Sequence, residues 1–179
     1  MRSIKIFIIS VLIMMSFFGI FTVFLPSKVT VSKSILVNAT EAEVVNEIEN
    51  FKNWKNWYPG FQNQNITVTT SQKADSSFVT LTDEKRRKLL MHMIKPGPEN
   101  IDVFLFDESK KNTVSYQFIL SQDRTGNTQL TWNVNTTLPW YPWKKIAGIF
   151  LDKATGSQYQ EVLQNLKIAA EKIHQDASK

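Results

Sequence analysis

Six short segments of alternating apolar and polar residues follow one another between residues 66 and 137, and they constrain the fold more than any other feature. Alternation with a period of two is typical of strands that bury one face. Short stretches rich in Asp, Asn, Gly and Pro separate the segments, and turns this short join neighbouring antiparallel strands. We therefore predict an antiparallel meander with strands over residues 66–70, 77–82, 88–95, 101–107, 113–122 and 128–137.

The last two predicted strands indicate how the sheet is solvated. Val114, Tyr116 and Phe118 share one face of the first, and Leu130 and Trp132 share one face of the second. Because the alternate positions are polar, one face of the sheet should meet water and the other should be buried. The apolar face needs a cover from outside the meander.

The segment before the meander predicts one more strand and the first helix. Residues 27–38 alternate as a half-buried strand does. Thr40 with Glu43 fits a capping box, which predicts a helix over residues 41–51, followed by a short helical turn that carries two tryptophans.

The longest helical pattern lies at the C-terminal end. From about Trp143 to Asp176, apolar residues recur at three- and four-residue spacing, with an interruption predicted at Gly156. An amphipathic helix of this length is the remaining element that could cover the sheet.

The N-terminal end carries an apolar run that predicts a membrane anchor. Ile6 to Leu25 is 20 residues long and contains no charge. At about 1.5 Å per residue, such a helix crosses a hydrocarbon core of roughly 30 Å. We predict one transmembrane helix within residues 1–26 and one ligand-binding domain over residues 27–179.

A cleaved secretory signal is the alternative to this anchor. It would need a shorter apolar core and a small-x-small cleavage site, and residues 22–27 offer no such triplet. Arg2, Lys5 and the amino terminus precede the run, whereas Lys28 and Lys33 follow it, so the positive-inside comparison leans slightly towards an extracytoplasmic domain.

The composition argues against several functional classes. The chain has no cysteine, which excludes disulfides, thiolate catalysis and cysteine zinc sites. The formal net charge is only +5, and the one dense basic run, residues 85–88, directly follows Asp83 and Glu84, as in a solvated turn. We expect no nucleic-acid partner, no metal and no cofactor, because no ligand-spaced histidines or phosphate-binding glycine loop occur.

Two stretches resemble a known superfamily. SKSILVNATEAEVVNEIENFKNWKNWYP (residues 32–59) and DKATGSQYQEVLQNLKIAAEK (residues 152–172) are similar to the START-like superfamily, SRPBCC, and to its polyketide cyclase/dehydrase and lipid-transport branch. The resemblance implies an α+β helix-grip fold, with a seven-stranded curved antiparallel sheet around a long C-terminal helix and a cavity for apolar molecules. Residues 69–88 depart from that branch because they lack its glycines and tryptophan.

The candidate ligand-binding residues are mainly apolar and aromatic. Such side chains, methionine included, fit irregular apolar ligands, although they also form ordinary packed cores. His92 could bind a polar head group if its face points inward, whereas His174 suits a helix C-terminus. The candidates for the cavity or its mouth are Trp54, Trp57, Leu89, Met91, His92, Met93, Phe104, Tyr116, Phe118, Trp132, Trp140, Tyr141 and Trp143.

The stretch LPWYPWKK, residues 138–145, places three of these aromatics around two prolines. Three interpretations are open. The aromatics could form the rim of a cavity, rest at lipid headgroups where Trp, Tyr and Lys are favoured, or seal the core at a stiff corner.

Together these features predict a membrane-tethered domain that binds a hydrophobic small molecule or lipid without chemistry. Two alternatives stay open. A cyclase- or hydrolase-like enzyme on the same fold would use His92 or Tyr116 as acid or base. A tethered interaction module without a ligand would offer the outer face of the sheet to a protein partner, whose identity the sequence does not reveal.

Overall fold

A computed structural model describes residues 2–63, 65–73, 76–97, 100–107 and 112–177. Its order of elements agrees with the predicted pattern. The elements are α1 (Arg2–Val23), β1 (Lys28–Val37), α2 (Glu41–Glu49), a 3₁₀ turn (Asn53–Asn56), α3 (Pro59–Gln62), β2 (Thr67–Lys73), β3 (Ser76–Thr82), β4 (Lys88–Gly97), β5 (Asn100–Phe106), β6 (Asn112–Gln122), β7 (Thr128–Thr137), α4 (Pro142–Ile149) and α5 (Leu151–Ala177).

The strands form a seven-stranded antiparallel sheet in the order β1-β7-β6-β5-β4-β3-β2. Strands β2 to β7 each pair with their sequence neighbours, as short turns require. The first strand closes against the last, with Val31 opposite Val134 and Ile35 opposite Leu130. The predicted antiparallel meander is therefore confirmed.

The two faces of the sheet differ in polarity, as the alternation predicts. On β7, Leu130, Trp132 and Val134 point inward and are at most 1% exposed. On the opposite face, the Ser32 hydroxyl donates a hydrogen bond to Asn133 Oδ1 at 2.7 Å. Polar cross-strand pairs of this kind cover the outer face of β1, β6 and β7.

Helix α5 covers the inner face, which confirms the α+β helix-grip arrangement. It packs mainly against β1 and also contacts α2 and the 3₁₀ turn. The predicted apolar stripe supplies its buried residues, which are Val162, Leu163, Leu166 and Ala170.

The predicted interruption at Gly156 is wrong. The break falls at Phe150, whose backbone (φ −96°, ψ 5°) ends α4, and Gly156 lies within α5. A Cβ on Gly156 would meet Asp152 Oδ1 at 2.7 Å and Lys33 Nζ at 2.9 Å. The glycine therefore makes room for the Lys33–Asp152 ion pair, which joins α5 to β1.

The capping residue of α2 also ties that helix to α5. Glu43 Oε2 accepts hydrogen bonds of 2.8 Å from the backbone N–H and the hydroxyl of Thr40, and His174 Nδ1 lies 2.9 Å away. Burial acts to raise the pKa of Glu43, but the hydrogen bonds from Thr40 and His174 outweigh it, so the pKa is lowered. His174 thus pairs with a carboxylate and does not simply point into solvent.

Helix α1 precedes the domain and presents an apolar surface. Phe7 and Phe17 are 69% and 72% exposed, and the helix packs against α4. Over the residues that the structure describes, no helix reaches the length and apolarity needed to cross a membrane.

Candidate functional site

An aromatic cluster fills one half of the space between the sheet and the helices. Trp54, Trp57, Phe118 and Trp132 are at most 1% exposed. The Trp54 and Trp57 rings lie 4.7 Å apart, and Phe118 stacks on Trp132 at 5.5 Å. These four candidates therefore lie between the sheet and the helices, where in this state they pack against one another.

The indole N–H groups of this cluster differ in whether they donate a hydrogen bond. Trp54 Nε1 donates to the Ile48 carbonyl at 2.7 Å, and Trp57 Nε1 donates to the Glu47 carbonyl at 3.3 Å. Trp132 Nε1 is buried and has no hydrogen-bond partner among the described residues. A buried donor without an acceptor destabilises the fold by about 1–3 kcal/mol. A ligand oxygen that accepted a hydrogen bond from this N–H would remove that cost.

Beside Trp132 lies a pair of phenol hydroxyls. Tyr58 Oη and Tyr116 Oη are 2.7 Å apart, and the Tyr116 ring is 5.1 Å from the ring of Trp132. Burial raises the pKa of Tyr58 and raises that of Tyr116 well above its usual value. Both phenols therefore stay neutral at pH 7, and one shared hydrogen bond uses only one of their two O–H donors.

The other half of the interior is aliphatic and methionine-rich. Met91 and Met93 on β4 are buried on the inner face, next to half-buried Leu89. They pair in register with Leu105 and Val103 on β5. Because methionine side chains are flexible, this half can change shape more easily than the aromatic half.

His92 and Phe104 do not belong to the interior, which corrects their predicted place. They lie opposite each other in the register of β4 and β5, alternate with the buried methionines and so face outward. His92 stacks on Phe78 at 4.3 Å, and its Nε2 is buried without a partner in the described chain. A polar head group inside the domain cannot reach His92.

The residues of LPWYPWKK form an exposed corner. Trp140 is 77% exposed and Trp143 is 65% exposed, so the interpretation in which the tryptophans seal the core is wrong. The Tyr141 and Trp143 rings are parallel, with centroids 5.5 Å apart. The Tyr141 carbonyl accepts the first backbone hydrogen bonds of α4, which begins at Pro142.

One buried carboxylate was missed by the sequence analysis. Glu47 on α2 is 1% exposed. Burial raises the pKa of its carboxyl group, and hydrogen bonds from Asn56 and Asn53 offset only part of that rise. Glu47 lies three residues after Val44 and so shares the apolar stripe of α2. This spacing is the sequence feature that could have predicted its burial. No group of acidic or histidine side chains that could hold a metal occurs in the described parts of the chain.

Comparison with known proteins identifies the fold. No protein-family model matches the sequence, and no curated protein matches it. A START superfamily protein from Mycobacterium smegmatis superposes with a TM-score of 0.57 at 14% identity, over 81% of this chain and 99% of that one. The Zhui aromatase/cyclase from a Streptomyces species gives a TM-score of 0.59 at 12% identity, over 80% and 94%.

A Staphylococcus aureus protein of unknown function gives a TM-score of 0.62 at 12% identity, over 83% of this chain and 96% of that one. At such low identities the likeness concerns the fold alone. The predicted helix-grip fold is thereby confirmed for this chain.

Proposed function

We propose that this domain binds a hydrophobic small molecule or lipid between the sheet and α5 and does not transform it. The fold is one that START-like proteins and an aromatase/cyclase share with this chain. The adaptable methionine half of the interior supports the proposal, since binding there gains about 25 cal/mol per Å² of apolar surface buried.

The observation that carries the proposal is the group of unused donors at the aromatic cluster. The Tyr58–Tyr116 pair has one spare O–H, and the neighbouring Trp132 Nε1–H has no acceptor among the described residues. Small-molecule sites are mostly apolar with a few polar groups that fix orientation. The ligand that suits these donors is an apolar molecule with an acceptor oxygen, such as a carbonyl or carboxyl group.

Entry of a ligand requires a segment that can move. Helix α3 is a single turn that begins with Pro59 and Gly60, and it lies next to half-buried Tyr58. Few hydrogen bonds hold a helix this short, and its opening withdraws one buried ring, that of Phe61, whereas separating α5 from the sheet would expose several buried residues. In our proposal α3 opens and the methionines rearrange around the ligand.

Binding is favoured over catalysis by the state of the titratable groups. Tyr116 is neutral because burial raises its pKa, so it does not serve as a base at neutral pH. His92, the other residue considered for acid or base chemistry, faces outward. Neither of the two residues considered for acid or base chemistry is therefore placed to act as a base inside the domain.

The membrane tether is a separate part of the proposal. It rests on the uncharged run from Ile6 to Leu25, and residues 1–26 would attach the domain formed by residues 27–179 to a membrane. The weak excess of charge before the run supports an extracytoplasmic domain.

Native mass spectrometry of the full-length, detergent-extracted protein tests ligand binding. We expect a copurified apolar adduct that is reduced in the Tyr58→Phe/Tyr116→Phe variant. Tyr141→Phe, which removes a phenol from the exposed corner, should keep it. A protein that carries no adduct and takes up none from lipid vesicles would contradict the proposal.

A second candidate, an interaction module without a ligand, is favoured by one observation. The fully buried aromatic cluster already fills half of the interior. The outer face then offers Phe78, Leu90 and Phe104 to a partner protein. A persistent absence of adducts would favour this candidate.

A further inference from the structure

A second apolar surface lies outside the interior, on and beside α4. Five large side chains there are exposed. Soluble surfaces rarely gather so many of them, and such patches mark interaction sites. We call this surface the α4 patch; it consists of Trp140, Tyr141, Trp143, Ile149 and Phe150.

An apolar groove of about 680 Å³ runs between α4 and α1. The patch residue Trp143 lies on its wall, so the groove and the α4 patch are continuous. Among the described residues its lining carries no charge and consists of Met14, Met15, Gly19, Pro142, Trp143, Ile146 and Ala147.

If the proposed tether holds α1 in a bilayer, the level at which α4 meets α1 would be that of the membrane interface. Gly19 and Met14 lie four and nine residues before the end of α1 at Val23. At about 1.5 Å per residue, α4 therefore packs roughly 6–14 Å along α1 from that end. Interfacial helices bury their apolar face about 5–10 Å into the boundary between headgroups and acyl chains.

The chemistry of the patch also matches a bilayer surface. Tryptophan and tyrosine are enriched at the headgroup level, and exposed Lys144 and Lys153 stand beside the patch. Lys145 Nζ donates a hydrogen bond of 3.1 Å to the Leu25 carbonyl, which ties α4 to the end of the apolar run.

We propose that the α4 patch lies in the headgroup region of the membrane that holds α1, with a lipid acyl chain in the groove between the two helices. This docking rests on the proposed tether. It would hold the domain in one orientation against the bilayer, which a flexible tether alone cannot do.

Fluorescence quenching by brominated phosphatidylcholine tests this docking in the full-length protein reconstituted in liposomes. Three of the five tryptophans, Trp54, Trp57 and Trp132, are buried and act as an internal reference. We expect brominated lipid to remove the share of emission that Trp140 and Trp143 contribute. The Trp140→Phe/Trp143→Phe variant should be nearly insensitive to bromination.

A matched pair of variants separates docking from a general effect of charge. Trp143→Glu and Ile168→Glu each place a carboxylate at an exposed apolar position, 65% exposed on α4 and 56% exposed on α5. Quenching of Trp140 should be lost in the first variant and kept in the second.

Each remaining outcome overturns a defined part of the proposal. Protein that floats with the liposomes but shows no quenching keeps the tether and overturns the docking. Protein that does not float overturns both. Protection of Trp140 and Trp143 by self-association, seen as a dimer in sedimentation, would assign the patch to a second copy and also overturn the docking.

Discussion

Two phenols that share one hydrogen bond inside an apolar domain are the residues on which the proposed binding depends. Their contribution to folding can be measured apart from any ligand. Tyr116→Phe should lower the free energy of unfolding by about 1 kcal/mol, because it removes one hydrogen bond and leaves Tyr58 Oη unpaired.

Thermal or urea unfolding checks this value, with Tyr141→Phe as the control at an exposed phenol. The control should change stability by less than about 0.5 kcal/mol. Equal losses in both variants would show that the buried pair has no special role in stability.

Glu43 gives a prediction about pH. Its pKa is lowered from the ordinary 4.5 by hydrogen bonds that exist only in the folded state. The carboxylate therefore stabilises the domain above pH 4.5, and this contribution is lost as the pH falls through the lowered folded pKa.

Glu43→Gln should reduce stability at pH 7 by no more than about 1 kcal/mol, because the carboxylate is partly exposed. The difference from the wild-type protein should shrink as the pH falls through the lowered folded pKa of Glu43, where the wild-type carboxylate becomes protonated. Glu161→Gln, at an exposed position on α5, is the control for removing a carboxylate. Chemical unfolding at several pH values measures both variants.

The inward or outward position of single residues was only partly predictable. On β7, strict alternation correctly predicted which residues face the core. On β5, both faces are apolar in sequence, so periodicity could not predict on which face of the sheet Phe104 lies. The register with β4 shows that it lies on the outer face. Glu47 was missed because a lone charge on an apolar stripe resembles a surface residue until its burial is known.

At the scale of elements, α4 depends on a close approach at Gly148. A Cβ there would clash with Leu138 Cδ1 and would lie 3.3 Å from Val29 Cγ2. Gly148→Val should lower the unfolding free energy by about 1–3 kcal/mol through overpacking, which corresponds to a fall in Tm of a few degrees.

Ala154→Val is the matched control, because it places the same side chain at an exposed position on α5. Calorimetry should show a lower Tm for Gly148→Val alone. If both variants unfold like the wild-type protein, α4 is not held against the sheet as described.

The elements themselves were largely predictable, whereas their breaks were not. Turn residues and alternation correctly predicted the strands to within about two residues at most ends. The division between α4 and α5 was misplaced, because glycine usually weakens a helix. At Gly156 the helix continues, since the approach of Lys33 requires a residue without a side chain.

At the scale of the whole molecule, the fold follows from sequence pattern but the occupant of the interior does not. Strand order and helix position depend on periodicity that any apolar residue can satisfy. Room for a ligand depends on how the side chains pack, and here one half is filled by aromatic rings while the other holds flexible methionines.

Methyl NMR of the methionines tests the central claim most directly. The chain has five methionines, of which Met91 and Met93 line the interior, whereas Met14 and Met15 line the groove between α1 and α4 and report separately on lipid bound there. In the full-length protein, delipidation should shift the Met91 and Met93 methyl signals, and adding back the organic extract of the purified protein should restore them. Signals of Met91 and Met93 that stay unchanged through both steps would contradict binding between the sheet and α5.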